Sequence, residues 1–278
     1  MFEVIFLLIL AGIFISVASV RDLKIREIPN WLSFSLIIFA LGFRFFYSLF
    51  EASNFSFFYQ GIIGFGIFFI LGNLFYYARL FAGGDAKLMI AMGSILPFSE
   101  SFFINVKIFS VWFLIFLFVG MIYGLSWSFF LMFNNKREFK KEIKKQFSEN
   151  KKIFFMAVIL GLILIILGFF YELFFILGIF IFITPYIFIY AKAVDESCMI
   201  KKLNPKELTE GDWLYKDVKI SKNKIIKATW GGLSMKEIKL LRKNKKYVFV
   251  RQGIPFIPVF FFSFVILIYF WFFRGIGF

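Results

Sequence analysis

The chain has 278 residues, 61% of them hydrophobic and 23% aromatic, with 48 Phe and a net charge of +15. A water-soluble domain averages about 45–50% apolar residues, so most of this sequence is built to face lipid. With no His and one Cys, Cys198, the composition excludes histidine-assisted nucleophilic hydrolysis, His-ligated zinc, cysteine zinc clusters and an intrachain disulfide.

A spanning helix needs about 20 apolar residues. Eight stretches qualify, near 2–19, 31–50, 59–79, 87–104, 107–133, 153–170, 173–190 and 254–273. The first opens Met1-Phe2-Glu3 without a basic residue, and Arg21, Lys24 and Arg26 follow it. It therefore reads as a span and not as a cleavable signal peptide. Pro97 and Glu100 interrupt the fourth stretch, and Tyr171-Glu172 divides the sixth from the seventh as a tight hairpin.

Lys and Arg are distributed unevenly. Three fall in 21–30, eight in 134–152 and sixteen in 191–253, while Arg79 and Lys87 flank the connection after the third span. Eight spans with the amino terminus outside put all of these in the cytoplasm, as the positive-inside bias requires. Arg44, Lys107 and Arg274 are left near outer helix ends. Lipid headgroups, not nucleic acid, are the expected anionic neighbours.

The basic segment from Lys136 to Lys152 reads either as a polar connector or as a helix lying on the headgroups. Residues 191–253 form the one stretch long enough for a soluble module. Trp213-Leu214-Tyr215 and Tyr247-Val248-Phe249-Val250 read as strands, with turn chemistry at Gly211, Asn223 and Gly231-Gly232. Ser234 and Glu237 have capping-box spacing before a short helix. The expected module is small and mainly β, and it either guides a substrate or caps the membrane surface. The resulting fold class is a polytopic α-helical membrane protein with about eight transmembrane helices and a cytoplasmic β module before the last. Its expected divisions are 1–135, 136–190, 191–253 and 254–278.

Five Asp occur, and three of them, Asp195, Asp212 and Asp217, lie in the module. Asp22 and Asp85 follow the first and third spans. Odd-numbered spans end on one side, so both acids are expected at the cytoplasmic face and at one depth. Two carboxyl groups in one site hold a single proton between them. One takes a proton from water while the other polarises a carbonyl, which hydrolyses an amide without metal, His or Cys. The surroundings are RDLKIREIPNWL at 21–32 and LFAGGDAKL at 80–88. Pro29 disfavours helix at Ile28, Asn30 has the acceptor to cap the following helix, and Gly83-Gly84 permit close approach or positive φ before the acid.

Together these stretches resemble the type IV prepilin peptidase family, membrane aspartyl peptidases with a GxGD-type motif. The resemblance rests on Asp22, Arg26 and Ile28-Pro29-Asn30, and on Gly83, Gly84, Asp85, Lys87 and Leu88. LTEGDWL at 208–214 and the Gly-Ile-Pro-Phe-Ile-Pro run at 253–258 look like the archaeal preflagellin peptidase branch, where a small cytoplasmic domain precedes the final helix. The resemblance implies Asp22 and Asp85 as the catalytic pair, with Gly83, Gly84, Arg26, Pro29, Asn30 and Lys87 as substrate-binding or supporting residues. It implies no cofactor or metal. The implied partners are prepilin or preflagellin precursors, whose short basic leader is removed at the cytoplasmic face of the cell membrane. The first glycine of GxGD falls on Ala82, and the branch has six spans, which leaves 153–190 and its basic loop as an insertion. Bacterial members carry zinc-binding cysteine pairs and a methyltransferase activity, and a chain with one Cys inherits neither expectation.

Two other readings use the same residues. A proton- or ion-coupled transporter would employ both aspartates, although Glu3, Glu51, Glu100 and Glu172 fall at outer edges and a relay wants a carboxylate near the midplane. A non-catalytic assembly protein would need no pairing of the two acids.

Overall fold

The computed structural model describes residues 2–52, 54–221 and 224–273. The expected turn residue Asn223 and the outer-end Arg274 lie outside the described residues. The chain divides into two units, 1–125 with 255–278, and 126–254.

The first unit is built from α1 (Phe2–Ile25), α2 (Asn30–Phe50), α3 (Ser56–Tyr77), α4 (Gly83–Ile95), most of α5 (Phe102–Asn134) and α10 (Ile257–Phe273). Its core gathers Leu7 and Ile15 of α1, Leu32 and Leu36 of α2, Phe68 of α3, Trp112 and Phe116 of α5, and Phe260 and Phe264 of α10. Most other large apolar side chains of these helices point outward, Ile38 and Ile70 among them, as lipid-facing helices require.

Helix α4 is the central element and departs from expectation. The expected span 87–104 is a helix of only 13 residues, ended at Leu96-Pro97, with 96–101 non-helical before α5. At 1.5 Å per residue it is about 20 Å long, shorter than a hydrocarbon core of about 30 Å. Its approach to α3 is made by glycines. A Cβ on Gly64 would strike the Gly93 carbonyl, and a Cβ on Gly72 would sit 2.9 Å from the Ala86 carbonyl. Small residues of this kind let two backbones touch, the main source of helix association in lipid.

The far end of α4 is closed by Arg44 of α2, which is wholly buried. Its guanidinium donates to the carbonyls of Ser94 at 2.9 Å, Ile95 at 3.1 Å, Pro97 at 2.6 Å and Phe57 at 2.9 Å, and it stacks 4.2 Å from the Phe57 ring centre. The carbonyls at a helix C-terminus have no partners within the helix and carry partial negative charge. A buried arginine fork satisfies both needs.

The second unit contains α6 (Lys136–Glu149), α7 (Lys151–Leu167), α8 (Glu172–Cys198) and a small sheet region. Helices α7 and α8 pack as a close hairpin, with Gly161 against Phe182, Gly168 against Phe175 and Gly178 against Ile165. Helix α8 runs through Cys198, eight residues beyond the expected span end. The sheet therefore starts at β1 (Ile200–Leu203), followed by β2 (Trp213–Leu214), β3 (Val218–Ser221), β4 (Lys224–Ile226), α9 (Met235–Asn244) and β5 (Val248–Arg251). Strand β5 pairs antiparallel with β1 and β2 on either side, while β3 and β4 form a separate two-stranded ribbon.

Ser234 and Glu237 form the expected capping box on α9, and Leu214, Ile238, Leu241, Val248 and Val250 make the small core beneath it. Gly211 and Gly232 have the positive φ of a turn, whereas Gly231 does not.

Among the described residues, five helices are long and apolar enough to cross a membrane: α1, α2, α3, α5 and α8. The pair α6 and α7, bent by 74°, makes up to six, and α10 is a shorter apolar helix. The protein is thus mostly helical with several membrane-capable helices and a small sheet region.

Candidate active site

Asp22 stands in the last turns of α1 and is buried, at 7% exposure. The helix ends just beyond it because Arg26 takes φ of 56° and returns its N–H to the Asp22 carbonyl at 3.0 Å. This is a left-handed cap in which the residue is usually glycine. Arg79 closes α3 in the same way, with φ of 62°, an N–H to the Tyr76 carbonyl, and the Leu80 N–H to the Phe75 carbonyl. Among the described residues these are the two non-glycine positions with positive φ. Both lie at turns leading into the site, where such strain tends to collect.

The Asp22 carboxylate accepts the backbone N–H of Ile257 at 2.9 Å. Ile257 opens α10, and the residue before it is Phe256, which has no side-chain acceptor for the first donors of the helix. An orphan N–H at a buried helix start must find a partner, and Asp22 supplies one from the first helix.

Asp85 occupies the first turn of α4. Its Oδ2 accepts the N–H of Ala82 at 3.2 Å, the backward half of a capping box. Ala82, which stands where the motif's first glycine would fall, is the N-cap residue and has no side-chain acceptor to complete the box. Each carboxylate thus meets a helix N-terminus, Asp85 that of its own α4 and Asp22 that of α10, where N–H donors and the helix dipole attract carboxylate oxygens. The charge of Asp22 acts on Asp85, and that of Arg26 acts on Asp22.

Two further contacts join the motifs. Lys87 donates from Nζ to Asn30 Oδ1 at 2.6 Å. A Cβ on Gly84 would meet Ile28 Cδ1 at 2.9 Å, so the glycine lets the first turn of α4 lie against Ile28. These findings correct two expectations. Asn30 does not cap α2: Pro29, with φ of −66° and ψ of 137°, occupies the cap position and makes no side-chain cap bond. Asn30 is instead the first helical residue and reaches across to Lys87. Of the two expectations for Gly83-Gly84, close approach holds at Gly84 and positive φ does not, for both are the first residues of α4. Gly83 comes only within 3.9 Å of Tyr76.

Two contributors were not legible as site residues. Tyr123 of α5 stands in the field of both Asp22 and Arg26, yet it is one aromatic among many in an apolar run. The Ile257 N–H had a signal in the proline-flanked run at 253–258, which marks a helix start without a local cap.

The fold and the site define a class, a polytopic helical membrane protein with two aspartates on separate helices joined by an arginine–proline–asparagine turn and a diglycine turn. Residues 8–129 match the model of the type IV leader peptidase family. The resemblance carried by the two motifs is therefore borne out over that stretch. The chain is 35% identical over 89 residues to a preflagellin peptidase of Methanocaldococcus jannaschii, which covers 32% of this chain and 37% of that protein. It is 39% identical over 84 residues to the prepilin peptidase EppA of Methanothermobacter thermautotrophicus, covering 30% of this chain and 22% of that protein. A preflagellin peptidase of Methanococcus maripaludis is 33% identical over 89 residues. The matched stretch thus spans less than two fifths of each of these relatives. No solved structure matches the chain.

Proposed function

We propose that this protein is a membrane aspartyl endopeptidase that removes the short basic leader from prepilin or preflagellin precursors at the cytoplasmic membrane face. The observation that carries the reading is that Asp22 and Asp85 are two carboxylates on different helices, each oriented by a backbone N–H, with Asp85 in the field of Asp22. The match of residues 8–129 to the leader peptidase family and the names of the archaeal relatives support it.

The ionised carboxylate takes a proton from water, and the resulting hydroxide adds to the scissile carbonyl while the protonated carboxyl hydrogen-bonds its oxygen. The tetrahedral intermediate then collapses, the C–N bond breaks, and the departing nitrogen takes a proton from the pair. The dyad ends with the single proton it began with. In this reading Lys87 with Asn30, and Gly84 with Ile28, hold the two aspartate-bearing turns together, while Arg26 and Pro29 set the turn after Asp22. No cofactor is required. The amino terminus lies outside, and the 191–253 module lies in the cytoplasm with the basic loops.

The test is cleavage of a purified candidate precursor by the purified full chain, read as a mobility shift on a gel. Leader removal that needs both aspartates supports the reading. Substantial cleavage by Asp22→Asn or Asp85→Asn overturns the aspartyl dyad, and no cleavage by the parent chain overturns the peptidase reading in favour of ion-coupled transport or a scaffold.

A further inference from the structure

The segment left open between a polar connector and a surface helix is helical, and its cations gather on one side. At about 100° per residue, Lys136, Lys140, Lys144, Arg137, Lys141 and Lys145 fall within about half of the circumference of α6. Phe139 and Ile143 form a second face, Phe147 lies where that face meets the edge of the basic arc, and Glu138, Glu142 and Glu149 form a narrow third one on the other side.

The apolar and acidic faces are already engaged within this unit. Phe139 meets Tyr190 of α8 edge-on at 5.8 Å, Phe147 meets Phe154 of α7 at 5.0 Å, and Gln146 is buried. Glu142 accepts from Gln146 at 2.7 Å and from Lys145 at 3.1 Å, and it feels the charge of Lys192 on α8. The basic face is engaged at its two edges, where Lys145 pairs with Glu142 and Lys136 lies 5.0 Å from the Phe133 ring centre. Its six cations are exposed, and among the described residues Lys136, Arg137, Lys140, Lys141 and Lys144 form no ion pair.

The axis of α6 leaves that of α7 at 74°, across the single residue Asn150. Helix α7 begins with Lys151 and Lys152, both exposed, and is apolar from Ile153 onward. Paired lysines followed by an uninterrupted apolar run mark the level at which a helix enters hydrocarbon. A helix hinged at that level and turned nearly perpendicular runs along the bilayer surface for about 21 Å.

We propose that α6 is an in-plane anchor whose basic face binds anionic phospholipid headgroups. Charge complementarity selects the occupant: five unpaired cations on one face, at headgroup level, meet a surface that carries negative charge. The inference rests on the geometry of α6, α7 and α8, and it stands whether or not the chain cleaves a precursor.

The experiment uses the full chain with Cys198→Ser and Ser148→Cys, labelled at position 148 within the basic arc by an environment-sensitive fluorophore. The protein is placed in nanodiscs of phosphatidylcholine alone or with one third phosphatidylglycerol, and quenching by the neutral aqueous quencher acrylamide is measured. Quenching should fall severalfold in the anionic discs. That protection should vanish in 1 M salt, where screening acts within about 3 Å. In Lys140→Glu/Lys144→Glu the difference in quenching between the two discs should largely disappear. The comparison of two lipids needs no charge variant, so a folding defect in that variant cannot mask the answer. Equal quenching in the two discs, whether high or low, overturns the proposal. It would leave the basic face to solvent or to an acidic protein.

Discussion

Asp22 accepts the backbone N–H of Ile257 at 2.9 Å, across 235 residues of sequence. Helices α1 and α10 are thereby joined at one carboxylate, which closes the start of α10 while its charge acts on Asp85. The same group holds the fold and belongs to the candidate dyad. Its substitution must therefore keep an acceptor if structure and chemistry are to be separated.

Asp22→Asn and Asp85→Asn meet that condition, since the amide oxygen can still take the Ile257 or Ala82 N–H. Each variant should insert and fold, yet lower precursor cleavage at least about a thousandfold, because an amide cannot share or relay the proton. The double variant should be no worse than either single one. Asp212→Asn is the control: its carboxylate receives the Thr209 N–H at 2.8 Å within the sheet region, and cleavage should persist. The check is the initial cleavage rate of the four variants beside the parent protein.

Asn30 and Lys87 share one charge-assisted hydrogen bond of 2.6 Å. Asn30→Ala and Lys87→Ala should each slow cleavage by a similar factor, and combining them should add little. The double-mutant cycle on cleavage rate is the measurement. Full additivity would mean that the contact does not couple the two turns.

Arg44→Met should cause the largest loss of stability among these variants, about 3 kcal/mol or more, because it strips the donors from buried carbonyls at Phe57, Ser94, Ile95 and Pro97. Arg44→Lys keeps the charge but loses the planar fork, so it should fall between. Thermal denaturation in detergent measures both. A melting temperature unchanged in Arg44→Met would show that α4 does not depend on this cap.

The capping box of α9 gives a pH dependence with a definite sign. Hydrogen bonds from the side chain and backbone of Ser234 hold Glu237 below its ordinary value of 4.5. A carboxyl whose folded pKa is depressed contributes stability above its unfolded value and loses it as pH falls through the folded value. Ser234→Ala should lower local stability by about 1 kcal/mol near neutral pH and flatten the acid limb below about pH 4.5. Hydrogen exchange of the β1, β2 and β5 amides in the full chain, followed from pH 7 to 3, reads both effects.

Much of this protein is legible one residue at a time. Apolar runs of about 20 residues must become helices in lipid, because backbone groups there have no water to bond; α1, α2, α3 and α8 follow directly. The pattern at Ser234 and Glu237 writes its own cap, since both partners lie within one turn. Asp22 and Asp85 stand out because carboxylates between apolar spans are costly and so rarely incidental.

What the tertiary structure alone decided are the relations between distant segments. No local rule links Ile257 to Asp22, Lys87 to Asn30, or Arg44 to the end of α4, because each of those bonds satisfies a donor or acceptor that its own neighbourhood leaves without a partner. Asn30 shows the difference clearly. Local propensity made it a helix cap, but Pro29 already provides the helix entry, and that freed the amide for a lysine 57 residues away. Helix α4 shows it in length: hydropathy measured a span through 104, and Pro97 together with the Arg44 fork ends the helix at Ile95. Periodicity and composition act within a few turns, whereas the pairing of orphan polar groups in a buried interior is settled only when the helices meet.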